Sequence, residues 1–168
     1  PDDLEQNPEI LERLEVIRCW ASVAMGIARD IGEARRIPGI PKVAFLSPAQ
    51  DMTTLAGECV AATDCDITVR MISVGQPHRA IPVTGALCMA VAARVNGSLV
   101  SRMLDTTRCS SELRLAHPSG VARVDARIEQ RDDTWYAESA IIHRTARRLM
   151  DGHIYVAAAR TLGLGIVR

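Results

Sequence analysis

The stretch Val83-Thr84-Gly85-Ala86-Leu87-Cys88-Met89-Ala90-Val91-Ala92-Ala93-Arg94-Val95 decides how the rest of the chain is read. It is apolar nearly all round, with Arg94 as its only charge. A helix apolar on every face is normally buried. Asn96-Gly97 behind it supplies a C-terminal stop. The run falls short of the roughly 20 residues that span a bilayer. It is therefore predicted to be the central helix of a domain.

Working outward, Gly75 to Pro82 reads as a loop punctuated by Gly and Pro. Before it, Ile67, Val69, Met71 and Ser73 alternate with Thr68, Arg70, Ile72 and Val74, the period of a strand. Val43 to Leu46 is a short apolar run that predicts a buried strand. Asp51 to Asp64 is ambiguous: Asp51 suits the cap of a short helix that Gly57 weakens. Near the start, Asn7-Pro8-Glu9 combines a capping residue, a first-turn proline and an acid at the positive end of the dipole. Leu11, Leu14, Ile17, Ala21, Ala24, Ala28 and Ile31 then predict one helix that stops before Pro38-Gly39-Ile40-Pro41. Downstream, Glu112 to Ala116 and Val121 to Glu129 flank His117-Pro118-Ser119-Gly120, a hairpin pattern. Arg131-Asp132-Asp133 is a turn, Trp135 to Thr145 another strand, and His153 to Val156 a last short one. Antiparallel strands around one apolar helix make an α+β domain.

Composition narrows the function. The 168 residues are 48% apolar and 24% charged with zero formal net charge, so no overall field favours nucleic acid or an acidic membrane surface. Aromatics, at 3%, are too few for a base-stacking platform. Cys19, Cys59, Cys65, Cys88 and Cys109 are odd in number and lack CxxC spacing, which suggests neither a disulfide framework nor a zinc site. Reduced thiols in a cytoplasmic protein are the simplest reading.

Four segments carry a resemblance: Ile40-Pro41-Lys42-Val43; Arg70-Met71-Ile72-Ser73-Val74-Gly75-Gln76-Pro77-His78-Arg79-Ala80 running on through Thr84-Gly85-Ala86; His117-Pro118-Ser119-Gly120; and Arg144-Thr145-Ala146-Arg147-Arg148-Leu149-Met150-Asp151-Gly152. Their order and spacing, over about residues 10 to 156, resemble the second half of the PrpF family of 2-methylaconitate cis–trans isomerases. That family includes 4-oxalomesaconate tautomerase and methylitaconate isomerase types. The resemblance implies a diaminopimelate-epimerase-like lobe, a curled, mostly antiparallel sheet around a buried central helix. It also implies that residues 1–168 form a single domain matching the C-terminal of two lobes, with the N-terminal lobe absent. The tail Ala157 to Arg168 has no clear family counterpart.

Isomerases of this kind move a proton beside a carboxylate without redox or metal cofactor, so the site must stabilise charge on oxygen and supply a base and an acid. A helix N-terminus suits the first task, because its free amides attract anions. Thr84-Gly85-Ala86 opens the central helix, and Gly85 lets a ligand approach the backbone. The plainer alternative is that Thr84 merely caps the helix. Ser73 suits hydrogen bonding to a substrate carboxylate; Gly75 lies in the same loop; His78 suits binding it or sharing a proton, since imidazole titrates near neutrality. The alternative for His78 is a loop histidine satisfied by backbone. Where the wider fold's epimerases place a catalytic Cys just before Thr-Gly-Ala, this chain has Pro82, and the resemblance assigns the main acid and base, a Cys and a Lys, to the other lobe. Cys88 reads as a packing residue, His117 as structural, Arg123 and Arg127 as a solvated face, Met71 and Met89 as core. Arg144 and Arg147 suit either a polyanionic substrate or surface pairing.

Two functions follow. The first is an isomerase or tautomerase of an unsaturated di- or tricarboxylate, with a missing lobe or second chain as partner and no cofactor, metal, nucleic acid or membrane. The second is a non-catalytic lobe, stand-alone or degenerate, that binds small anions or serves as an assembly module. Phenazine-biosynthesis-type isomerases of the same fold fit less well. A surface made to face another lobe is expected to leave apolar area open around Gly75 to Thr84, favouring homo-oligomers.

Overall fold

The computed structural model describes residues 2–104, 112–153 and 155. Helices α1 (Asp2–Glu5), α2 (Pro8–Ala24) and α3 (Ile31–Arg36) lead into β1 (Val43–Pro48). A two-stranded ribbon, β2 (Met52–Thr53) with β3 (Cys59–Val60), precedes β4 (Ile67–Ser73), β5 (Gln76–Pro77), α4 (Val83–Arg94) and α5 (Leu99–Met103). Strands β6 (Leu113–His117), β7 (Gly120–Arg131) and β8 (Thr134–His143) follow. The main sheet has the order β1-β4-β6-β7-β8, with β5 also paired to β4. Every pairing in it is antiparallel except β4 with β6. Parallel neighbours need a crossover, and the segment containing α4 makes it. The helix touches β6, β7 and β8 and packs on β4, so the sheet curls around it.

The core follows from the strand period. Ile67, Val69 and Met71 of β4, Leu113 and Leu115 of β6 and Val124 of β7 meet Ala86, Met89 and Ala90 of α4 and Val100 of α5. Thr68 and Ile72 are buried too, so β4 is covered on both faces. That is expected of a strand at the centre of a sheet. Asp66, just before β4, holds Arg114 of β6 through Oδ1 at 2.6 Å, and Arg94 of α4 reaches Asp125 of β7 at 2.7 Å.

Several expectations need correction. The predicted first helix is two helices. Gly26 sits at φ +70°, where the helix cannot continue, and Asp30 starts α3 by accepting from the Glu33 amide at 2.8 Å. The buried face of α2 is Leu14, Arg18, Cys19 and Ser22, while Ile17 is 56% exposed. Arg18 is inside because its guanidinium donates to the carbonyls of Ala34, Ile37 and Ile40 and to Glu15. Asp51 starts no helix; it accepts from the Ala62 amide at 2.7 Å, at the head of a single 3-10 turn. The central helix is open on one side. Leu87, Cys88, Val91, Ala92 and Val95 line a hollow of about 460 Å³ with Ala140 of β8, and Cys88 is exposed instead of packed. The two hairpin strands, β8 and the cores at Met71 and Met89 match the sequence reading within a residue or two. His153 and Tyr155 carry no strand; Ile154, Val156, Cys109 and the tail Ala157 to Arg168 lie outside the described residues.

Candidate active site

The loop between β4 and α4 is shaped by a two-residue turn. Ser73 pairs with Gln76, and the residues between them, Val74 and Gly75, both have positive φ, 54° and 71°. That is the turn whose twist matches a tight hairpin. It folds β5 back on β4, and the His78 amide donates to the Met71 carbonyl at 2.8 Å. The hairpin brings Ser73, Gly75 and His78 to one cavity of about 770 Å³, whose wall also includes Glu5, Gln76 and Arg79. Ser73 is buried. His78 Nε2 is also buried and has no hydrogen-bond partner among the described residues, so backbone does not satisfy this ring nitrogen. The cavity wall mixes polar and apolar groups; Val74 and Val83 leave apolar surface exposed around this loop, as expected, and a further apolar hollow lies along α4 and β8.

The start of α4 is a separate place. Pro82 is the N-cap, at ψ 142°, and the Ala86 amide donates to its carbonyl at 2.9 Å. The amides of Val83, Thr84 and Gly85 make no hydrogen bond among the described residues. Thr84 is exposed and does not cap the helix through its side chain. Gly85 and Ala86 are buried. A β-carbon on Gly85 would lie 2.7 Å from Met71 Cε, so this glycine makes room for Met71 and not for a ligand. Thr84, Gly85 and Ala86 do not line the Ser73 cavity. The six predicted residues thus form two groups, with Arg79 to Pro82 between them.

A second cavity, of about 340 Å³, gathers residues from distant parts of the chain. Ala80 and Ile81 precede α4, His117 and Ser119 come from the β6–β7 turn, and Arg144 and Thr145 follow β8. Ser119 Oγ donates to the Arg79 carbonyl at 2.6 Å, which ties that turn to the loop. His117 closes β6, is 8% exposed, and its Nδ1 accepts from the Ser119 amide at 3.2 Å. Burial first, and then the nearby Arg70 charge, hold its pKa below the ordinary histidine value. The ring is therefore neutral at pH 7, with its proton on Nε2. Sequence reasoning gave His117 a structural role only and did not single out Ser119. The available signal was that both lie in one of the four segments that carried the resemblance.

Three of those four segments meet at this cavity. Residues 1–157 match the family model described as PrpF protein. The chain belongs to the PrpF family. Over 155 residues it is 35% identical to the 2-methyl-aconitate isomerase of Shewanella oneidensis, covering 92% of this chain and 39% of that protein. It is 31% identical over 162 residues to the 3-methylitaconate isomerase of Eubacterium barkeri, covering 95% and 42%. The crystal structure of methylitaconate-delta-isomerase matches all of this chain and 43% of its own, with TM-score 0.77 and 30% identity. The PrpF chain here thus spans about two-fifths of the length of these relatives, and its fold is the diaminopimelate-epimerase-like one. Among its described residues no helix is long and apolar enough to cross a membrane.

Proposed function

We propose that this chain is the substrate-binding, C-terminal lobe of an isomerase or tautomerase that shifts a proton on an unsaturated di- or tricarboxylate. The relatives' names point to methylaconitate, methylitaconate and oxalomesaconate as the substrate class. The reaction needs no redox or metal cofactor, because oriented amides stabilise the charge that proton loss leaves on oxygen. The observation that carries this reading is the run of amides at Val83, Thr84 and Gly85 that make no hydrogen bond among the described residues, after the loop that bears Ser73, Gly75 and His78. A carboxylate on those amides would gain charge-assisted hydrogen bonds and a favourable helix dipole. Ser73 and His78, in the separate cavity before α4, offer a hydroxyl and an imidazole to another part of a ligand that spans both places. The principal acid and base belong to a facing lobe, so the chain by itself binds without turning over.

The test is a substitution that deletes one amide and little else. Val83→Pro removes an N–H at the first helical position, where proline is tolerated and where the preceding Pro82 is already extended. Titration of the 15N-labelled chain with mesaconate is expected to shift the Val83, Thr84 and Gly85 amides, and V83P to weaken binding about tenfold. Unchanged affinity in a folded V83P chain overturns the reading. Joined to the first lobe of a relative, the chain is expected to exchange deuterium from D2O into methylaconitate. Binding that never leads to exchange, in a folded two-lobe protein, favours the second reading, a non-catalytic anion-binding or assembly lobe.

A further inference from the structure

We infer that Arg79 recognises a second carboxylate in the Ser73–His78 cavity, and that Glu5 holds this position in the resting chain as a stand-in for the ligand. The inference rests on the carboxylate reading above and deepens it. Glu5 closes α1 and stands in the wall of the same cavity as Arg79. Its Oε2 lies 3.6 Å from Arg79 Nη2. A carboxylate is thus already seated where the cavity offers a guanidinium, with the unpartnered His78 Nε2 and the Ser73 hydroxyl in the same wall.

The pair is built to be displaced. The Arg79 side chain is 72% exposed and that of Glu5 32%, so water screens their attraction. Exposed pairs of this kind contribute little, less than a bidentate contact to an incoming carboxylate. Glu5 rides on a four-residue helix, too short to be stable by itself. Arg79, by contrast, has a fixed backbone, because Ser119 Oγ donates to its carbonyl from the neighbouring cavity. The guanidinium can therefore change partner while its anchor stays. A dicarboxylate with one acid group on the α4 amides and the other at Arg79 expels Glu5; a monocarboxylate held on the amides leaves Glu5 in place. Glu5 then acts as a threshold that favours ligands with two acid groups.

The experiment titrates the full 15N-labelled chain with mesaconate and, as the one-carboxylate control, crotonate. Glu5→Gln is expected to tighten mesaconate roughly twofold to fivefold and to leave crotonate unchanged. Arg79→Gln is expected to weaken mesaconate about tenfold or more and to abolish the gain in the double variant. Spectra of residues far from the loop check that each variant is folded. An Glu5→Gln chain with unaltered mesaconate affinity, or with an equal gain for crotonate, overturns the inference, as does a wild-type chain and variant that both ignore mesaconate. Binding that responds to Val83→Pro but not to Glu5→Gln or Arg79→Gln sinks this inference alone. Binding that responds to the last two but not to V83P sinks the helix-amide reading instead.

Discussion

Val74 is the most strained described residue beside the candidate site. It is β-branched, has φ 54°, and occupies the first central position of a turn that prefers Asn or Gly. Its side chain is 61% exposed, so little packing offsets the strain. Val74→Asn is expected to raise unfolding stability by about 1 kcal/mol, read as a higher urea midpoint with unchanged slope. His117 gives a second prediction at this scale. Its pKa is lower in the folded chain than in the unfolded one, so folding favours the neutral ring. Its contribution is complete above the unfolded value of about 6.5 and is lost as pH falls from there toward the folded pKa. Urea midpoints between pH 8 and pH 5 are expected to drop on the acid side, and His117→Gln to flatten that drop. An acid limb of equal slope in both proteins would refute the assignment.

At the scale of elements, the joint between β4 and β6 depends on one carboxylate. The Asp66 side chain is only 5% exposed and bonds both the backbone and the guanidinium of Arg114. Asp66→Ala strands a half-buried charge and an amide, and is expected to cost about 3 kcal/mol, measured by chemical denaturation. Nothing in the sequence announced this pair, because its members lie far apart along the chain. Hairpin β6–β7 and strand β4 were legible, since turn residues and a two-residue period are local signals. The break in the first helix was legible only in hindsight from Gly26 and Asp30, because the apolar stripe carries on past both. Arg18 could not be read as a buried residue, because its burial is set by three carbonyls of α3 and the loop behind it. At the site, the loop of Ser73 and His78 was legible from local chemistry, whereas the role of Gly85 was not. Its neighbour is Met71 of β4, on the sheet that α4 packs against, a contact that no spacing rule records.

Among the described residues, the α4 side of the molecule is open and apolar. The hollow along Leu87, Val91 and Val95 of α4, next to β8, is the kind of surface that promotes association. Sedimentation of the isolated chain is expected to show concentration-dependent self-association, and Val91→Lys to reduce it. A monomer at high concentration for the parent chain would count against this. The parallel joint has a different consequence, in time instead of space. Its partners Ile67 and Leu115 are separated by the entire crossover, whereas β6, β7 and β8 are sequential neighbours. Closing that large loop costs entropy before any pairing rewards it. The sequential hairpins are thus the early folding events, and β4 waits for them. On the ribosome β4 emerges before the crossover and β6 have been made, and until then it must stay unpaired on the edge that β6 will fill.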